Sequence, residues 1–148
     1  MFTIKSRAFQ QSERIPRKYA GEGENVSPPI EWSEAPQGTR EFALICDDPD
    51  APTPQPWVHW VVYGIPSEAH ELPEGRAPQA TQGLNAKGAE GYTGPMPPPG
   101  HGEHHYHFRL YALDRPLMPT RDMDKSRLLE AMRGHVLAES ELVGTYER

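Results

Sequence analysis

Short apolar runs along the chain are separated by stretches dense in glycine and proline, and that punctuation favours strands over helices. Glu41 to Cys46 is largely apolar and stops at Asp-Asp-Pro-Asp-Ala-Pro-Thr-Pro, the pattern of a buried strand. Trp57 to Ile65 is a second run, of strong β-formers. Strict alternation places Trp57, His59, Val61 and Tyr63 on one face of it and Val58, Trp60 and Val62 on the other. Both faces are mostly apolar, so this strand is expected in the middle of a sheet. In a third run, His104 to Ala112, the residues His104, Tyr106, Phe108 and Leu110 are expected towards the core. His105, His107, Arg109 and Tyr111 then share the opposite face. Ile30 to Trp32, between turn signals, is a shorter candidate. Helical spacing is clear only from about Asp124 to Ala138, where Leu128, Leu129, Met132 and Val136 form a stripe. Asp122 or Asp124 is suited to cap its start, and Gly134 weakens it modestly. Pro66 to Gly100 is expected to be mainly loop, and loops of that length are often functional.

Composition narrows the picture to one domain. At 148 residues the chain buries roughly 70% of its unfolded surface, enough for a core without staples. Thirteen glycines and 17 prolines exclude a helical bundle, while the apolar content excludes wholesale disorder. Cys46, the one cysteine, has no disulfide partner within the chain and sits in an apolar run before two aspartates. It is expected to be a small buried hydrophobe, not a nucleophile. A formal net charge of −6 argues against generic nucleic-acid binding, which needs a basic stripe. No segment approaches the ~18 apolar residues of a membrane span and the amino terminus lacks a secretory pattern, so a cytoplasmic location is expected.

Candidate chemistry gathers at the strand ends. Asp48-Pro49-Asp50-Ala51-Pro52 closes one strand with two carboxylates, Trp57-Val58-His59-Trp60 opens the next, and Pro97 to Gly100 leads to His104 and Tyr106 on a third. Proline stiffens such approaches, and Ala51-Pro52 is a candidate cis peptide. Two histidines and a carboxylate from adjacent strand starts form a small polar cleft, in which each imidazole donates to an anion while an aspartate holds its other nitrogen. Gly91, Gly94 and Gly100 would let backbone amides approach the same anion. Taken singly these residues have plainer roles: aspartates beside proline cap turns, and a buried histidine is commonly a satisfied core group.

The combination D-P-D-A-P, W-V-H-W, G-Y-x-G-P-x-P-P-x-G and H-x-Y followed by F-x-L-Y-A-L-D resembles the phosphatidylethanolamine-binding protein family, and within it the short prokaryotic Raf kinase inhibitor-like branch. The likeness runs from Asn25-Val26-Ser27-Pro28-Pro29 to the final Gly144-Thr145-Tyr146-Glu147-Arg148. It implies antiparallel β-sheets in Greek-key order with a peripheral C-terminal helix. It further implies a pocket for phosphate, acetate or a phospholipid head group, with Asp48, Asp50, Trp57, His59, Pro97, His104 and Tyr106 as its ligand-binding residues. One departure stands out: the family's arginine after the pocket histidine is here His105. That removes a permanent charge and a bidentate fork, with loss of a surface ion pair as the expected consequence.

The expected function is therefore non-catalytic anion binding with no cofactor. Contact regulation of a kinase or protease is a further role suggested by the family, and homodimerisation is common among its short members. A hydrolase using Asp–His acid–base chemistry is the competing reading, but there is no G-x-S-x-G elbow and no serine adjoins the histidine segments. The spacing H-x-x-H-H-x-H superficially suggests a metal, yet one strand cannot aim His104 and His105 at the same ion, and no metal is expected.

Overall fold

The computed structural model describes residues 1–118 and 122–148. A small sheet comprises β1 (Thr3–Lys5), β2 (Ile30–Ser33) and β5 (Glu71–Leu72), in the order β1-β2-β5. The main sheet comprises β3 (Glu41–Asp48), β4 (Trp57–Pro66), β6 (Thr81–Gln82), β7 (His104–Leu113) and β8 (Val136–Tyr146), in the order β6-β4-β3-β7-β8. Every pairing in both sheets is antiparallel. Among the described residues one α-helix, α1 (Lys125–Met132), covers the other face of the main sheet.

Two apolar layers follow from this stacking. Ile4 and Trp32 of the small sheet pack with Phe42, Leu44, Trp60, Val62, Phe108 and Leu110 of the main sheet. On the opposite side Ile45, Val61 and Tyr63 pack with Leu128 and Met132 of α1. Strand β3 is thus covered on both faces, and all eight of its residues are buried. Cys46 is one of them, in the inter-sheet layer as its apolar setting suggested.

The expected helix from Asp124 to Ala138 needs correction. Asp124 does cap it, its carboxylate accepting the Arg127 N–H at 2.9 Å, but the helix ends at Met132. Gly134 has φ +80°, a left-handed conformation that costs glycine little and that stops a helix. The chain then runs back along β7 as an eleven-residue strand that the helical spacing at Val136 had masked. The Ala51–Pro52 peptide is trans, not cis.

Residues 66–100 are mostly loop, as expected, but they are tied down. Gly83, Ala86 and Thr93 donate their backbone N–H groups to the carbonyls of Val61, Val58 and His59, at 2.8, 2.8 and 3.0 Å. The loop therefore continues from β6 along the same edge of β4 and brings Thr93 and Gly94 to the end of the main sheet where the candidate site lies.

Candidate functional site

Adjacent aspartates at the end of β3 point to opposite faces, as a pleated strand requires. Asp48 turns towards the inter-sheet side. Its Oδ1 accepts the Asp50 N–H at 2.8 Å, and its Oδ2 lies 2.7 Å from His104 Nδ1. Asp48 and His104 are both nearly inaccessible, at 3% and 2% exposure. Register between β3 and β7 sets Cys46 opposite Phe108, so His104 begins its strand just beyond the end of β3, where Asp48 reaches it.

His59 arrives by a different device. Cys46 pairs with Trp60 and Asp47 with Val58, which leaves His59 as an extra residue in β4. This bulge breaks the strict alternation expected for the strand. Val61 and Tyr63 pack on the α1 side, whereas His59 is carried to the side of His104 and meets Tyr106 edge-on, ring centroids 5.1 Å apart. Trp57 flanks it at 4.7 Å. Without the bulge His59 would share the face of Val61 and Tyr63, away from Asp48.

The resulting cavity is about 360 Å³ and is lined by Asp48, Trp57, His59, Pro97, His104 and Tyr106. Those are six of the seven residues expected there. Asp50 is not a lining residue: its Oδ2 accepts the His105 backbone N–H at 2.8 Å and lies 2.8 Å from His105 Nδ1, on the half-exposed outside. Burial alone would raise the Asp50 carboxyl, but the bonds to His105 outweigh it and hold the carboxyl below its usual value. So His105 does form the surface contact that loss of the arginine was expected to remove.

Asn25, Lys87, Thr93, Met96 and His101 are functional candidates that the sequence did not single out for this pocket. The first four line the cavity. His101 was conspicuous only as one of a run of histidines. It is exposed, and its Nδ1 sits 2.6 Å from His104 Nε2, so it covers the nitrogen that Asp48 leaves free. Lys87 lies in a loop with no local pattern to announce it.

The expectation of free glycine amides at the site is not met. Gly91 donates to the Gly83 carbonyl at 3.1 Å, Gly94 to Asn25 Oδ1 at 2.6 Å and Gly100 to the Arg148 carbonyl at 3.0 Å. Gly94 serves close packing instead: a Cβ there would fall 2.1 Å from the Tyr19 carbonyl oxygen.

Electrostatically the pocket is uneven. Burial drives the His59 pKa down to about 4, against the opposing pull of its Thr93 bond and of Asp48 and Asp47, so the ring is neutral near pH 7. Its Nδ1 lies 2.7 Å from the Thr93 carbonyl oxygen. Burial, reinforced by Asp48, raises the Tyr106 hydroxyl, which therefore keeps its proton. That hydroxyl bonds to none of the described residues. Among the described residues no group of three or more His, Cys, Asp or Glu is placed to hold a metal ion.

The sequence profile described as phosphatidylethanolamine-binding protein matches residues 5–147. The chain belongs to the phosphatidylethanolamine-binding protein family. It is 47% identical, over 98% of both chains, to a Methanothermobacter thermautotrophicus protein called UPF0098 protein. Among solved structures, a phosphatidylethanolamine-binding protein homologue from Chlamydia trachomatis superposes with a TM-score of 0.94 at 40% identity, covering 99% of this chain and 97% of that one. E. coli YbcL, titled a new member of the mammalian family, superposes at 0.93 with 31% identity, covering 99% and 98%. Phosphatidylethanolamine-binding proteins are in general ligand-binding proteins, and the polar cavity of this member lies at the end of β3, β4 and β7. No helix among the described residues is long and apolar enough to cross a membrane.

Proposed function

We propose that the chain binds a small anion, or the phosphate of a larger head group, in the cavity between Asp48, His59 and His104, and that it does so without catalysis. The observation that carries this reading is the buried Asp48–His104 pair. Asp48 takes one ring nitrogen at 2.7 Å, and the other, 2.6 Å from the exposed His101, is left for a ligand that displaces that ring. A carboxylate so placed stabilises the imidazolium, whose Nε2–H then donates to an anion. Lys87 adds a charge at the rim, while Trp57, Pro97 and Met96 supply apolar walls for whatever the anion is attached to. His59 takes a different part from the expected one, because its Nδ1 is held by the Thr93 carbonyl and not by an aspartate.

Calorimetric titration of phosphate and phosphorylethanolamine into wild type and His104→Ala, at pH 6 and pH 8, tests this. Binding that is tighter at pH 6 and lost in the variant is the expected result. Absence of binding by the folded wild type under every condition would sink it. A phosphorylated side chain presents the same chemistry, so contact with a kinase or protease would run through the same pocket.

The Asp48–His104 pair also resembles an acid–base dyad, the one feature favouring a hydrolase. No serine lines the cavity, and burial pushes the Cys46 thiol well above its ordinary pKa. Turnover of phosphoesters or acyl esters, abolished in His104→Ala, would establish that reading instead.

A further inference from the structure

The polar atoms facing the cavity differ in what they still need. His104 Nε2, once protonated, is a donor, here 2.6 Å from His101 Nδ1, which a ligand must displace. The Tyr106 hydroxyl and the Lys87 ammonium also donate. His59 is the exception. A carbonyl oxygen only accepts, so the 2.7 Å contact to Thr93 places the hydrogen of the neutral ring on Nδ1 and leaves a lone pair on Nε2. No described residue bonds to that nitrogen, although His59 is 4% exposed and lines the cavity. The charges that act on the ring are Asp48 and Asp47 from β3 and Lys87 from the loop after β6, and burial outweighs them all in keeping it neutral. His104 and Tyr106 of β7 complete its surroundings, with Tyr106 ring centroids 5.1 Å from His59 and 6.5 Å from His104.

A fully ionised oxyanion placed here would turn an oxygen lone pair towards a nitrogen lone pair. A ligand that carries a proton of its own would satisfy both. We propose that the pocket selects oxyanions bearing their own hydrogen, that is, inorganic phosphate or the monoanion of a phosphate monoester. The P–OH donates to His59 Nε2, and the remaining oxygens accept from His104 Nε2, Tyr106 and Lys87. No bond is made or broken, and no proton leaves the ligand. This rests on the anion-pocket reading and adds a criterion to it: hydrogen phosphate is accepted, whereas sulfate and phosphate diesters, which have no proton to give, are refused.

Wild-type protein suffices for the test. At pH 6, inorganic phosphate is expected to bind about tenfold or more tightly than sulfate or dimethyl phosphate, the penalty for leaving a buried acceptor unpaired. Equal affinity for phosphate and sulfate overturns the proposal while leaving the anion pocket intact. Binding of none of the three overturns both. Between pH 6 and pH 8, phosphorylethanolamine loses its second proton, with a pKa of about 6, and its affinity should fall by close to tenfold per unit. Sulfate has nothing to lose over that range, so its profile reports the protein's own groups alone. Phosphorylethanolamine and sulfate profiles that run parallel count against the proposal. His59→Gln, first shown to unfold cooperatively, offers an amide that both donates and accepts. It should narrow the preference for phosphate over sulfate, and an unchanged preference would exclude His59 as the selector.

Discussion

Asp47 and Asp48 are neighbours on β3, both buried, yet they face opposite sides of the sheet into unlike company. Asp47 Oδ1 accepts from Arg109 at 3.2 Å, and its Oδ2 accepts from Lys125 at 2.5 Å. Arg109 goes on to Glu141 at 2.8 Å, where His107 joins at 3.1 Å. Arginine and lysine keep their charge throughout the neutral range, so this cluster is closed: each charge has its partner and none waits for a ligand. Asp48 pairs instead with a histidine, and the cavity before it holds a lone pair on His59 and a hydroxyl on Tyr106 with no partner among the described residues. Closure marks a cluster that holds the fold together. Unsaturation at the same depth marks one that receives something.

The sharpest way to separate the two is acid. His59 has a folded pKa of about 4 against 6.5 for an ordinary imidazole. Because the folded value is depressed, the unfolded chain takes up the proton first. The contribution to stability is therefore complete above about pH 6.5 and is lost as pH falls towards 4. The full window is worth on the order of 3 kcal/mol. Urea unfolding from pH 7 to pH 4 should show this loss, and His59→Gln should flatten it. A slope that persists in the variant would place its origin elsewhere.

Next in size is Asp47→Ala. It strands Lys125 and leaves Arg109 only Glu141, but Arg109 and Lys125 are partly exposed, 29% and 25%, so the buried-pair penalty must be discounted to about 2 kcal/mol. Phosphate affinity should stay within about twofold of wild type. If stability and affinity fell together, the two faces would not be separate. Asp48→Asn should show the reverse pattern: the shape is kept, but the charge that favours the His104 imidazolium is gone. Phosphate binding at pH 6 is expected to weaken about tenfold, near 1.4 kcal/mol, with a smaller loss of stability than in Asp47→Ala.

How much of this contrast can be read from sequence depends on the range of the interaction concerned. Period-2 patterning locates β3, β4 and β7 and assigns Tyr106, Phe108 and Leu110 to the core, because alternation is a local property. The family resemblance adds six of the cavity's lining residues. Alternation misplaces His59, since a bulge depends on the register with β3 and leaves no mark in the local pattern. Asp50 is misplaced for a related reason: its proximity to Asp48 in sequence hides its attachment to His105 on another strand. Strand β8 stays hidden because Val136 continues the spacing of α1, and only the backbone of Gly134 distinguishes a stop from a weak spot. Lys87 and His101 come from loops whose course is set by contacts 28 or more residues away, Ala86 with Val58 and Gly100 with Arg148.

The smallest expected effect tests the contrast most directly, because its sign differs from the others. His101 is exposed on a turn between Gly100 and Gly102, both at positive φ, and its Nδ1 occupies His104 Nε2 at 2.6 Å. The turn is anchored by Arg148, whose Nε donates to the Pro97 carbonyl at 2.7 Å and whose carbonyl accepts the Gly100 N–H at 3.0 Å. A ligand that takes the hydrogen of His104 Nε2 must displace His101 first. In a closed cluster, deleting any member loses affinity or stability; in a receiving site, deleting an internal occupant should gain affinity. His101→Ala is therefore expected to tighten phosphate binding about threefold at pH 7, from a net hydrogen-bond contribution of roughly 0.5–1 kcal/mol. Weaker binding in His101→Ala would mean that His101 contacts the ligand and belongs with His104 as part of the receiving surface.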